Sequence, residues 1–81
     1  MENYKIYKRE TENKIEIFVI DELSYEDKYA ELIDTCDKDF LDDGFTTLNE
    51  ALHYARLYRA GYKVAYQNYD VQIIIPANAN N

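Results

Sequence analysis

The chain of 81 residues has no tryptophan, one cysteine (Cys36), one histidine (His53), one serine (Ser24), one proline (Pro76) and two glycines, Gly44 and Gly61. Each scarcity closes a route to function. A lone cysteine cannot form an intrachain disulfide, so nothing requires an oxidising compartment. One cysteine and one histidine do not make a transition-metal ligand set. Two isolated glycines allow neither a P-loop nor a dinucleotide-binding fingerprint. Nucleophilic catalysis needs a nucleophile, a base and a group that orients the base, and no motif of that kind surrounds Ser24 or His53. The apolar runs Ile17 to Ile20 and Ile73 to Ala77 are far shorter than the roughly 20 residues that cross a bilayer. No basic stretch leading into an apolar one opens the chain, so no signal peptide is expected and the cytoplasm is the expected location.

What the chain does have is negative charge, and it is concentrated. Residues 21 to 50 hold eleven of the sixteen acids against two lysines, whereas the remaining residues carry five acids and seven bases. The net charge of −7 therefore belongs to one segment on a nearly neutral frame. Such charge repels nucleic acid phosphates and anionic lipid and favours a basic protein surface.

Hydrophobic residues make up 47% of the chain, which is ordinary for a folded globule, and the length allows one small domain, placed at 1–76. Tyr4 to Glu10 and Lys14 to Ile20 alternate apolar and polar residues around the turn-compatible Thr11, Glu12 and Asn13, the pattern of a hairpin. From Tyr25 to Lys38 the spacing predicts an amphipathic helix capped by Ser24, with Asp27, Glu31 and Asp34 on one face and Tyr29, Leu32, Ile33 and Cys36 opposite. A strand over Tyr29 to Cys36 is the competing reading, because Ala30, Leu32 and Cys36 also alternate. Asp37 to Phe45 reads as a loop. Thr47-Leu48-Asn49-Glu50 is a capping box, and Leu48, Ala51, Leu52, Ala55 and Tyr58 continue at helical spacing toward Gly61, where a left-handed residue would end the helix. Val64 to Tyr66 and Val71 to Ile75 read as strands, either paired as a hairpin or joined in one irregular strand. Pro76 ends pairing, and 77–81 reads as a polar tail. The expected fold is α+β: a small antiparallel sheet with two helices packed on one face, in the order ββααβ(β).

Three constellations bear on chemistry. Asp39, Asp42 and Asp43 offer carboxylates for acid–base work, but acids on an exposed loop keep ordinary pKa values. Counted from Asp39, an EF-hand loop would place Asp43 at five, Gly44 at six and Glu50 at twelve, yet Leu41 at three offers no side-chain oxygen and Glu50 belongs to the capping box. No metal and no cofactor are expected. The third is the acidic row itself. Like charges at the i, i+4 and i+7 spacing of Asp27, Glu31 and Asp34 oppose helix formation by about 0.2 to 0.5 kcal/mol per pair. Their spacing also approaches that of successive phosphates on a nucleic acid strand, and Asp37, Asp39, Asp42 and Asp43 prolong the row. The nine tyrosines fall mostly on inward faces, which leaves Tyr7 and Tyr69 as candidates for partner contact.

These features point to a non-enzymatic acidic binding protein that occupies the nucleic-acid-binding surface of a basic partner, such as a nuclease complex. In size and charge the chain resembles the small acidic inhibitors that phages direct against restriction or CRISPR nucleases, a resemblance of type carried by no motif. The alternative is a small structural or regulatory module whose acidity serves solubility, with pairing as a homodimer through a strand edge as one form of it.

Overall fold

A computed structural model describes residues 3–21 and 38–75 of the chain. Within them lie four strands and one helix: β1 (Tyr4–Glu10), β2 (Lys14–Asp21), β3 (Lys38–Phe45), α1 (Leu48–Ala65) and β4 (Asp70–Ile74). The strands form one sheet in the order β3-β1-β2-β4. The α+β class is as the sequence indicates; the expected strand order and purely antiparallel sheet are not found.

The hairpin forms as its alternation requires. Ile6 pairs with Val19, Lys8 with Ile17 and Glu10 with Ile15, and the turn is closed by Thr11 N–H donating to Lys14 O at 2.9 Å. Strand β2 is central, and Ile15 through Ile20 are all buried. Ile15, Ile17 and Val19 join Tyr4, Ile6, Phe45, Val71, Ala51 and Ala55 in the core under the helix. Two alanines at that contact allow α1 to approach the sheet closely.

On the opposite face Glu16 is nearly buried and stands directly across from Arg9. Arg9 reaches one oxygen of Glu16 with both Nε (2.7 Å) and Nη2 (2.5 Å), and its guanidinium lies over the Phe18 ring at 5.3 Å. A charge drawn from water is kept only when answered by an opposite charge with good hydrogen bonding, and this pair meets that condition.

Three corrections to the expected fold have physical causes. The segment read as a loop over Asp37 to Phe45 contains strand β3, which pairs antiparallel with β1. Its aspartates and glycine are poor strand formers, and two irregularities hide its alternation: the register shifts between Tyr7 and Ile6 and again between Ile6 and Tyr4. At the second, Gly44 takes a positive φ of 87°, the conformation glycine permits in a bulge. The Gly44 N–H donates to Asn3 Oδ1 and the Asp43 N–H to Asp42 Oδ1, each at 2.9 Å.

Helix α1 runs through Gly61 to Ala65 rather than stopping at the glycine, so Val64 to Tyr66 is not a strand. Gly61 lacks a positive φ; it is an interior residue of the helix, tolerated at a cost of about 1 kcal/mol relative to alanine. The C-terminal segment is neither a hairpin nor one long strand. A turn, with Tyr69 N–H donating to Tyr66 O at 3.0 Å, leads into a single strand β4 that runs parallel to β2. Strand β3 also runs parallel to β2, through its antiparallel pairing with β1, so α1 is a crossover between the two edge strands of a mixed sheet.

Among the described residues there is one helix, not two. The helix expected over Tyr25 to Lys38 lies outside the described residues except for Lys38, which begins β3, and the tail 77–81 lies outside them as well.

Candidate functional site

The N-terminus of α1 fixes the geometry of the site. Glu50 N–H donates to Thr47 Oγ1 at 3.1 Å, and the Glu50 carboxylate accepts from Thr46 N–H at 3.2 Å, one residue before the cap. This accounts for Glu50. The twelve residues counted from Asp39 are strand, turn and helix, not a coordinating loop, and the described residues contain no group of three potential ligands.

From this cap α1 crosses the sheet chiefly over β2 and β4, leaving the β3 side to be bridged by long side chains. Tyr54, Tyr58, Tyr62 and Tyr66 recur every fourth residue, forming a ridge that slants around the helix. Tyr54 stacks on Phe45 with centroids 5.1 Å apart. The other three form a chain with Tyr69: Tyr58 to Tyr62 is 6.4 Å, Tyr62 to Tyr66 is 6.2 Å, and Tyr66 to Tyr69 is 5.1 Å. The ridge lines an open groove of about 680 Å³, together with Leu57 and, from β3, Asp42. Gly61 contributes to it as well, and a β-carbon there would meet nothing within 4 Å.

The bulge at Leu41 aims Asp42 into this groove. Strict alternation from Phe40, whose ring meets Tyr7 edge-on at 5.7 Å on the far face, would send Asp42 to that same face. The extra residue instead turns both Leu41 and Asp42 toward the helix: Leu41 packs against the core, and Asp42 Oδ2 accepts from the Tyr58 hydroxyl at 3.5 Å. Partial burial, then the Asp42 charge and this hydrogen bond, raise the Tyr58 pKa above its usual 10.0.

The other expected contact residues fall in different places. Asp39 is exposed, and its carboxylate pairs with Lys8 Nζ at 3.3 Å. Burial acts against the Lys8 charge, but the bond to Asp39 and the negative groups around it outweigh that and hold its pKa above 10.5. The same ammonium stands 5.4 Å over the Tyr62 ring. Asp43 is exposed beside the Gly44 bulge. Tyr7 lies on the face away from α1, half-buried against Phe40, whereas Tyr69 ends the tyrosine chain and packs against the core. The structure thus groups Asp39 and Asp42 with Lys8, Tyr58 and Tyr62, and does not bring Tyr7 and Tyr69 together. Asp27, Glu31, Asp34 and Asp37 lie outside the described residues. His53 is exposed on α1, its ring 5.2 Å from that of Tyr54.

The groove tyrosines are not among the contact residues expected from the sequence. Their signal in the sequence is the four-residue repeat, which extends to Tyr66 only when the helix runs through Gly61. No family model, curated protein or solved structure matches this chain. No helix among the described residues is long and apolar enough to cross a membrane.

Proposed function

We propose that this chain is a non-enzymatic acidic binding protein that occupies the basic, nucleic-acid-binding surface of a larger protein and excludes nucleic acid from it. The observation that carries this reading is the crowding of eleven acids into residues 21 to 50, three of which, Asp39, Asp42 and Asp43, stand on strand β3 beside an aromatic groove. Charge complementarity of this kind accelerates encounter and selects the partner, while aromatic surface supplies contact area. Asp27, Glu31, Asp34 and Asp37 extend the charge available to the partner. The expected location is the cytoplasm, where nucleases of the kind envisaged act.

Affinity capture tests the reading. The chain is immobilised, exposed to a bacterial lysate and eluted first with a salt gradient, then in parallel with duplex DNA. Recovery of a nucleic-acid-binding protein that both salt and DNA release supports the proposal. Recovery only of proteins indifferent to both contradicts it, as does equal recovery on a chain whose seven aspartates and glutamates at 27, 31, 34, 37, 39, 42 and 43 are replaced by amides.

A further inference from the structure

Building on the binding role proposed above, we infer that the tyrosine-lined groove receives an arginine-bearing segment of the basic partner, with a guanidinium held between the Asp42 carboxylate and the ring faces of α1. Asp42 is half-buried, and among the described residues its oxygens meet only the Asp43 N–H and the Tyr58 hydroxyl, with no cation. Two other acids differ: on the same strand Asp39 is answered by Lys8, and on the far face of the sheet Glu16 is answered by Arg9. A carboxylate partly withdrawn from water and lacking a counter-charge is the group whose energy improves most when a cation arrives.

The rings supply the second half of the site. Aromatic faces attract cations, and Tyr62 already does so within the molecule, since Lys8 Nζ lies 5.4 Å from its centroid. Arginine fits better than lysine because its planar guanidinium can stack on a ring while its edge bonds a carboxylate. Tyr54 and Leu57, 41% and 55% exposed, offer apolar wall for the aliphatic stem of such a side chain. The groove volume of about 680 Å³ is well beyond one side chain and suits a short peptide segment. The net charge of −7 disfavours acidic peptides, phosphates and a second copy of the chain as occupants.

The full chain, labelled with ¹³C in its tyrosine rings, is titrated with the peptide acetyl-Gly-Arg-Gly-Arg-Gly-amide and with the same peptide carrying citrulline, the neutral isostere of arginine. Saturable shifts at Tyr58, Tyr62 and Tyr66 are expected with arginine, and affinity about tenfold lower with citrulline. Asp42→Asn should weaken the arginine peptide by about five- to tenfold, and Glu12→Gln, at an exposed acid of the β1–β2 turn that does not line the groove, by less than about twofold. Thermal melts of both variants establish that they fold, and the citrulline comparison needs no variant. Equal binding of the two peptides, shifts confined to Tyr7, or ring shifts that follow protein concentration without peptide would overturn the assignment. A captured partner that DNA displaces and that binds Asp42→Asn as tightly as the parent chain would also remove the groove, while leaving the acidic-surface reading in place.

Discussion

The Tyr58 hydroxyl faces the Asp42 carboxylate across 3.5 Å, joining the middle of α1 to the bulged strand β3. It is a long contact between half-buried groups, so its own contribution to stability is small. Tyr58→Phe should cost less than about 1 kcal/mol in chemical denaturation. A larger loss would mean that the hydroxyl anchors the strand.

Alkaline pH gives a second handle on the same side of the sheet. Tyr58 and Lys8 both have folded-state pKa values above their ordinary 10.0 and 10.5. A raised folded value contributes stability that is fully present below the unfolded pKa and is lost as pH rises through the folded one. The melting temperature should therefore fall as pH climbs above about 10, and the double variant Lys8→Gln, Tyr58→Phe should flatten that decline. An unchanged slope in the double variant would contradict the assignment.

Gly61 and Gly44 should respond to alanine in opposite directions. At Gly61 the backbone is helical and a β-carbon meets nothing within 4 Å, so Gly61→Ala should stabilise by about 0.5 to 1 kcal/mol. At Gly44 the φ of 87° is unfavourable for an L side chain, and Gly44→Ala should cost about 1 to 2 kcal/mol. Denaturant midpoints of the two variants check both signs, and destabilisation at Gly61 would return the helix end to that residue.

The Arg9–Glu16 pair is expected to be strongly coupled. Arg9→Met leaves a nearly buried carboxylate without its partner and should cost about 1 to 3 kcal/mol; adding Glu16→Leu should restore part of the loss. A double-mutant cycle measures the coupling directly. Additivity of the two changes would show that the pair contributes little.

In the core, Ile17→Ala removes a fully buried side chain at the centre of β2 and should cost about 2 to 5 kcal/mol. Thr47→Ala, which removes the acceptor for Glu50 N–H, should cost about 0.5 to 2 kcal/mol, and Thr47→Ser much less. Urea denaturation of the three variants compares core with cap.

The parts of the fold legible in the sequence are those where one local signal decides. Alternation around Thr11 to Asn13 gives the hairpin, and Thr47 with Glu50 marks the start of α1. What escaped depends on long-range pairing. Strand β3 is held by its register with β1 despite Asp39, Asp42, Asp43 and Gly44, and no local propensity announces it. The parallel pairing of β4 follows from the length of the crossover, which a helix ending at Gly61 would hide. The groove is hidden for the same reason, because Tyr62 and Tyr66 join Tyr54 and Tyr58 on one ridge only if the helix continues. Charge alone marks Asp42 as an acid of interest; its direction is set by the bulge at Leu41, which charge does not reveal.

The proposed function requires the seven acids to compete with nucleic acid for one basic site of the partner. The most direct measurement titrates the chain into its captured partner loaded with a fluorescent duplex and follows the anisotropy of the DNA at rising ionic strength. Competition should release the duplex stoichiometrically, with release that weakens as salt is added and disappears when the seven acids are replaced by amides. A ternary complex in which the duplex stays bound while the chain also binds would contradict it.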